Sequence, residues 1–343
     1  MLTIASFELR SRLKLVSTWV YFGVFLALAM LWIAAAGGLF KEANVSFGSG
    51  KVFVNSPFAL AQTVSVLGMF GVSVMAAIMG RAVQQDFEYR THHFFFTTPI
   101  AKWQYLGGRF LGALGVVLIV FAAIGLGAWL ATLLPGMDAE RLGPNRVAAY
   151  LMPYAVVLVP NALLIGALFF SLAALTRKML PVYIGSVLLL LGWLIALQLV
   201  RDLDNKTLAA LLDPFGSRAM SVLAEYWTVD ERNNRVIALD GVLLWNRLLW
   251  LGVAAVVSAL CLWRFSFAAF ASEPLARRRA KAPGDVAADD APPAVARPAA
   301  SLHPAGWRVL PHLVGLYFRE TIKNVYFSVL VLAGVLFLVF AST

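Results

Sequence analysis

Seven predominantly apolar runs constrain what this chain can fold into: Ser17 to Gly38, Ala59 to Gly80, Phe110 to Leu134, Ala148 to Thr176, Leu180 to Val200, Val242 to Trp263 and Val325 to Ser342. About 20 apolar residues of helix cross the hydrocarbon of a bilayer. In lipid every backbone N–H and C=O must find its partner within the protein, so such runs are helices. Of 343 residues, 61% are hydrophobic and 13% charged, too few charges to wet a soluble surface. The expected fold is an all-α polytopic membrane protein. The first run is long enough to remain as a span, with no short apolar core followed by a small-residue cleavage site, and it reads as uncleaved.

The net charge of +10 could serve nucleic acid or an anionic membrane surface, and its distribution decides. With the N-terminus inside, inward segments hold 18 Lys and Arg against eight acids and outward segments ten of each, so the whole excess falls on the inner face. That is the positive-inside pattern, and it argues against nucleic-acid binding. The single cysteine, Cys261, excludes an intrachain disulfide and reads as a packing residue. Residues 269–304, rich in Ala, Pro, Arg and Asp, cannot bury a core and read as a disordered cytoplasmic linker. Within it Arg277, Arg278, Arg279 and Lys281 suit an anchor on anionic lipid.

The pattern starts again after the linker. Phe7 to Lys14 and Phe318 to Lys323 each lead into a span, and each carries basic residues four apart (Arg10 and Lys14, Arg319 and Lys323) on one helix face. With Leu9 and Leu13, or Leu316 and Ile322, toward the acyl boundary, both read as interfacial elbow helices. Thr343 follows the seventh span directly, and the chain reads as the N-terminal part of a longer protein.

The inward loop from Gln84 to Lys102 carries five aromatics among mixed charges. A short amphipathic helix there would hold Phe87 and Tyr89 near the membrane and present Asp86, Glu88 and Arg90 to water, either as a docking surface for a cytosolic protein or as an interfacial helix without a partner. Pro99 marks a turn leading into a helix start. The outward segment from Arg201 to Asp240 holds two short helical patterns. Leu208, Leu211 and Leu212 share one face of the first; after the turn Asp213-Pro214-Phe215-Gly216, Ser217 is placed to cap a second helix with Met220, Leu223 and Trp227 apolar. A substrate gate and an aromatic-belt anchor are both compatible with this segment.

Within the spans polar residues are few: Gln62, Ser65, Ser73, Asn161, Ser171, Ser186 and Gln198. No acid or base lies at mid-depth to run a proton or ion relay, which argues against a secondary transporter. Asn161, after Pro160 and two turns beyond Pro153, is placed to repair a hydrogen bond freed by a kink. Gly107, Gly108, Gly112 and Gly115, with Gly125 and Gly127, permit close helix approach. His92, His93, His303 and His312 lack the spacing of metal ligands.

The elbow, the six spans and the string Asp-Phe-Glu-Tyr-Arg-Thr … Thr-Thr-Pro-Ile-Ala-Lys … Tyr-Leu-Gly-Gly-Arg-Phe between spans two and three resemble the ABC-2 type exporter permeases. Leu-Leu-Asp-Pro-Phe-Gly (211–216) and Leu-Trp-Asn-Arg-Leu-Leu-Trp (244–250) look closer to bacterial permeases fused to a zinc aminopeptidase. The resemblance implies a six-span permease unit with its elbow (1–268), the linker, and an elbow and seventh span (305–343) opening a second half. It also implies a bacterial inner-membrane location with a cytoplasmic N-terminus. Asp86, Phe87, Glu88, Arg90, Thr91, Thr98, Pro99 and Lys102 would then form the loop that couples to a separate ABC ATPase subunit, and a second permease half or a second copy would complete the exporter. This chain would carry no cofactor and no enzymatic activity of its own, with ATP on the partner: it has neither a Gly-x-x-x-x-Gly-Lys-Ser/Thr loop nor a His-Glu-x-x-His helix. The alternative is a membrane anchor for a downstream peptidase domain, without transport.

Overall fold

The computed structural model describes residues 1–40, 47, 51–89, 91, 99–199, 205–267 and 315. The chain divides into two units, Met1–Phe265 and Ser266–Thr343. The linker at 269–304 and, Gly315 apart, the second elbow and seventh span at 305–343 lie outside the described residues. Among the described residues every regular element is helical.

The first unit begins with α1 (Leu2–Leu13) and α2 (Val16–Ala36), followed by α3 (Pro57–Phe70) and α4 (Val72–Glu88). Then come α5 (Lys102–Ala131), α6 (Val147–Pro153) and α7 (Val159–Thr176), the last two joined by a π-helical turn at Tyr154–Leu158. The order closes with α8 (Leu180–Leu199), three short helices α9 (Lys206–Leu212), α10 (Ser217–Leu223) and α11 (Val229–Asn234), and α12 (Gly241–Arg264). Among the described residues four stretches are long and apolar enough to cross a membrane: α2, α5, Val147–Thr176 and α12; α3 and α4 together make a fifth if counted as one bent span. The apolar helix α8 is not among them, its apolar stretch running from Leu180 to Ala196.

The run expected as one straight second span, Ala59 to Gly80, is two helices bent by 57°. Gly71 stands at the break, where a Cβ would come within 2.2 Å of the Phe121 ring and 3.0 Å of Phe25. Those two rings pack together at 4.5 Å between centroids, so an aromatic pair from α2 and α5 fills the space a side chain would need.

α5, at 30 residues about 45 Å long, is the post against which the others stack. On its first half the glycines identified from sequence receive α1: a Cβ at Gly108 would meet the Ile4 Cβ at 2.7 Å, and one at Gly112 the Glu8 Cβ at 2.6 Å and the Ala5 carbonyl at 2.8 Å. On its second half, a Cβ at Gly127 would lie 2.4 Å from the Leu26 carbonyl of α2. Gly125 serves differently. The Tyr154 hydroxyl accepts from the Gly125 N–H (2.7 Å) and donates to the Phe121 carbonyl (3.1 Å), inserting itself into the α5 hydrogen-bond ladder.

The short helices form a canopy over one end of the bundle, opposite the end that holds α1. Its inward face is made by small residues. Ala209 and Ala210 of α9 are buried, while Leu208 and Leu212 are exposed. Small residues let the canopy backbone approach α12, leaving the leucines to the surroundings. Ala219 and Met220 of α10 join Phe58, Val157 and Leu243 in one apolar cluster. Ser217 does not cap α10. Its hydroxyl donates to Asp213 Oδ2 (2.8 Å), which also accepts the Arg218 N–H (2.8 Å), so the aspartate performs the capping.

Candidate functional site

The residues expected to face a partner begin at the last turn of α4, and here the structure corrects the sequence. α4 runs unbroken to Glu88, so no separate amphipathic helix starts at Asp86. Asp86 is 2% exposed and does not present to water. Its Oδ1 accepts from Arg109 Nη2 of α5 (2.7 Å) and the Thr91 hydroxyl (3.1 Å), and its Oδ2 from the Tyr105 hydroxyl (2.7 Å). Arg109 also donates through Nη1 to Glu8 of α1, which is fully buried. Glu8 in turn accepts from Arg12 Nε one turn on, and from Gln85 Nε2 of α4 at 3.3 Å. Arg12 Nη1 donates to the Ile78 carbonyl (3.2 Å).

Two carboxylates and two guanidiniums thus form a buried chain, Arg12–Glu8–Arg109–Asp86. A buried charge is tolerated only when paired and hydrogen-bonded, and each of the four is. The cluster ties together α1, the end of α4 and the first turns of α5, which are far apart in sequence.

The remaining candidates lie around it. Arg177, at the end of α7 in left-handed backbone (φ 59°), places its guanidinium over the Phe87 ring at 5.7 Å, linking α4 to α7 as well. Glu88, Pro99 and Lys102 are exposed, and Thr91 folds back on Asp86. Arg90 and Thr98, with His92, His93, His303 and His312, lie outside the described residues. Among the described residues no group of three or more His, Cys, Asp or Glu is placed to hold a metal.

No known protein family matches this chain, and no curated protein matches it.

A second polar cluster stands at the canopy end. Asn161 does not repair the kink: Nδ2 donates to the Phe215 carbonyl (3.2 Å) and Oδ1 accepts from Arg247 Nη1 of α12 (2.7 Å). The backbone near the kink is served instead by the π turn, in which the Val159 N–H reaches the Tyr154 carbonyl. Asn246 Nδ2 donates to the carbonyls of Ala210 (2.7 Å), Leu211 (3.2 Å) and Asp213 (2.8 Å), covering the orphan carbonyls at the end of α9. Asp213 Oδ1 accepts from Trp193 Nε1 of α8 (2.9 Å) and the Phe215 N–H (3.0 Å). Gly216, at φ 72°, is required twice over: its backbone is left-handed, and a Cβ there would overlap Arg247 Nη2 at 1.2 Å.

Sequence reasoning missed Glu8, Arg12, Tyr105, Arg109 and Arg247 as site residues. Two signals pointed to four of them, and none to Tyr105. Glu8 and Arg12 stand at i and i+4 on one face of α1, and Arg109 and Arg247 each lie about two turns into an apolar helix whose other charge, Lys102 or Arg264, is terminal.

Proposed function

We propose that this chain is the membrane-spanning permease of an ATP-driven exporter of the ABC-2 type, working with a separate ATPase subunit and a second permease half or second copy. α1 is its elbow, the bent α3–α4 pair and α8 bring the span count of the unit to six, and residues 84–102 form the coupling segment. The asymmetric placement of basic residues supports a bacterial inner-membrane orientation with the N-terminus in the cytoplasm. ATP binds and is hydrolysed on the partner, and this chain supplies the path and the mechanical link.

The observation that carries this reading is the buried charge chain. The helix end entering the coupling segment is locked by Asp86 to Arg109 and through it to Glu8. A push on the exposed residues Glu88 and Lys102 is therefore delivered to α4, α5 and α1 as one body. A coupling free energy between two sites requires such a stiff connection to an element with two arrangements.

The test is co-purification of an ATPase with the full chain from detergent, comparing wild type with the Glu88→Arg/Lys102→Glu variant, whose changes lie on exposed positions. Capture by wild type and loss in a monodisperse variant is the expected result. If neither captures an ATPase although both are folded, the exporter reading falls and the membrane-anchor reading replaces it.

A further inference from the structure

At the end of the bundle that holds α1, the helices α5 and α12 both pack against α7 and leave a groove between them. The Phe110 and Phe170 rings meet edge to face at 5.4 Å and join α5 to α7, while Ala254 of α12 packs with Leu164 and Ala167 of α7. The groove has a volume of about 230 Å³. Trp103, Gly107 and Leu111 line it from α5, Cys261 and Leu262 from α12, and Phe170 from α7. From Trp103 to Leu111 it follows about 12 Å of helix, a length suited to a chain rather than a compact molecule. Pockets that enclose a whole small ligand hold roughly 300–1,000 Å³, so this one receives part of a ligand.

Three observations give the occupant its chemistry. First, the groove opens sideways among the side chains that face away from the bundle: Trp103 is 55% exposed, Leu111 39% and Leu262 38%. Second, its α12 wall is apolar although it holds a serine, because Ser258 turns its hydroxyl back on the Ala254 carbonyl of its own helix (2.8 Å). Third, one end of the groove lies at a membrane boundary and is positively charged. Trp103 at the start of α5, Trp263 at the end of α12 and Trp19 at the start of α2 are all exposed at this end, and tryptophan gathers at the level of lipid head groups. From Trp263 back to the exposed Trp245, α12 rises about 27 Å, close to the roughly 30 Å of a hydrocarbon core. Lys102 precedes Trp103 and Arg264 follows Trp263, and both cations are exposed. Among the described residues neither has an ion-pair partner.

We propose that this groove binds an anionic phospholipid, its acyl chain between α5 and α12 and its phosphate at Lys102 and Arg264. An apolar cleft that begins at head-group depth beside two cations matches such a lipid at both ends. The guanidinium supplies a fork for two phosphate oxygens, and the ammonium adds a point charge. The site rests on the membrane-spanning helices and not on the exporter reading. Lys102 figures in both, but the test below contains no ATPase, so the two fail separately.

The test places the full chain in phosphatidylcholine nanodiscs and irradiates it with one of three probes carrying a diazirine in the upper half of the acyl chain: phosphatidylglycerol, phosphatidylcholine or palmitate. Labelled peptides are then mapped by mass spectrometry. Phosphatidylglycerol is expected to label residues 103–111 and 258–262 above the exposed stripe of α2, and above either other probe. Ser258→Phe, which sets a ring in the groove, should lower that labelling about tenfold; if it disturbs folding, Leu262→Trp fills the groove from its exposed rim instead. Lys102→Gln/Arg264→Gln, on exposed positions, should lower phosphatidylglycerol labelling about tenfold and leave phosphatidylcholine unchanged. Gly252→Phe, where a Cβ meets nothing within 4 Å, adds a ring to α12 outside the groove and should change nothing. Labelling no stronger than that of α2, indifference to the filling variant in a monodisperse protein, equal capture of phosphatidylcholine or palmitate, or labelling that survives removal of both cations would each overturn the proposal.

Discussion

The two ends of the bundle solve the same problem with different chemistry. At the α1 end, charges are buried against charges: Glu8 and Asp86 flank Arg109, and Arg12 closes the chain. At the canopy end, Arg247 hydrogen-bonds to a neutral amide oxygen of Asn161, and Asn246 and Asn161 spend their own N–H groups on backbone carbonyls. The first arrangement is brittle, because removing one partner strands a charge. The second is distributed over neutral amides and backbone groups, so that losing Arg247 orphans a dipole and not a charge. A brittle joint keeps three elements in one fixed relation, while a distributed one holds a lid in place.

Arg109→Ala provides the hardest test of this contrast. It leaves two buried carboxylates facing each other and should cost about 3–5 kcal/mol, read as loss of monodisperse protein or a large fall in thermal midpoint in detergent. A small effect would mean that water reaches the cluster. Next come the close approaches. Gly112→Ala sets a methyl against the Ala5 carbonyl and Glu8 Cβ, so α1 must move as a unit, at about 1–3 kcal/mol by the same thermal assay. Gly216→Ala, on left-handed backbone and against Arg247, should cost a similar 1–3 kcal/mol, roughly the sum of strain and displacement. Arg247→Met sharpens the comparison. It orphans only the Asn161 amide oxygen and should cost about 1–2 kcal/mol, well short of Arg109→Ala; equal costs would erase the distinction drawn here.

The smallest effect belongs to the canopy rim. Thr228 caps α11, accepting from the Glu231 N–H at 3.2 Å, while Glu231 Oε2 accepts from the Thr228 N–H at 2.8 Å. The Thr228 N–H, and secondarily its hydroxyl, hold the Glu231 carboxyl below the usual carboxylate range. A group depressed in the folded state contributes stability above its unfolded pKa and loses it as pH falls through the folded value. Thr228→Ala loses the hydroxyl cap and should cost about 1 kcal/mol at neutral pH, followed by tryptophan fluorescence of the canopy; because alanine keeps the backbone N–H that chiefly depresses Glu231, the loss of stability in acid should remain in the variant.

Much of this architecture was legible in the sequence, and the rest was hidden for identifiable reasons. Apolar run length located the helices, since lipid leaves the backbone no other choice, and the glycines of α5 announced a close neighbour. What they could not announce was that the neighbour is α1. Arg10 and Lys14, read as the polar face of an elbow, are both exposed. The opposite polar pair, Glu8 and Arg12, turns inward, and only tertiary contact with Arg109 makes that affordable. Asp86 was assigned to water because a carboxylate in a loop usually faces it; its partner lies 23 positions away on another helix. The break at Gly71 was invisible because nothing local demands it; two rings from α2 and α5 do. The third canopy helix carried a legible Thr-x-x-Glu capping signature that went unread.

The π-helical turn at Tyr154–Leu158 reaches further than its five residues. A π turn closes its ring over one residue more than the α ladder, and one residue of helix is worth about 100° of azimuth. The two halves of Val147–Thr176 are therefore out of phase: Ala149 points into the cluster of Ile33, Leu60 and Ala128, while Asn161 points to Arg247. Shortening the turn by one residue would leave composition and hydropathy almost unchanged, yet swing one half of the span against the other. In this helix, length is read out as rotation.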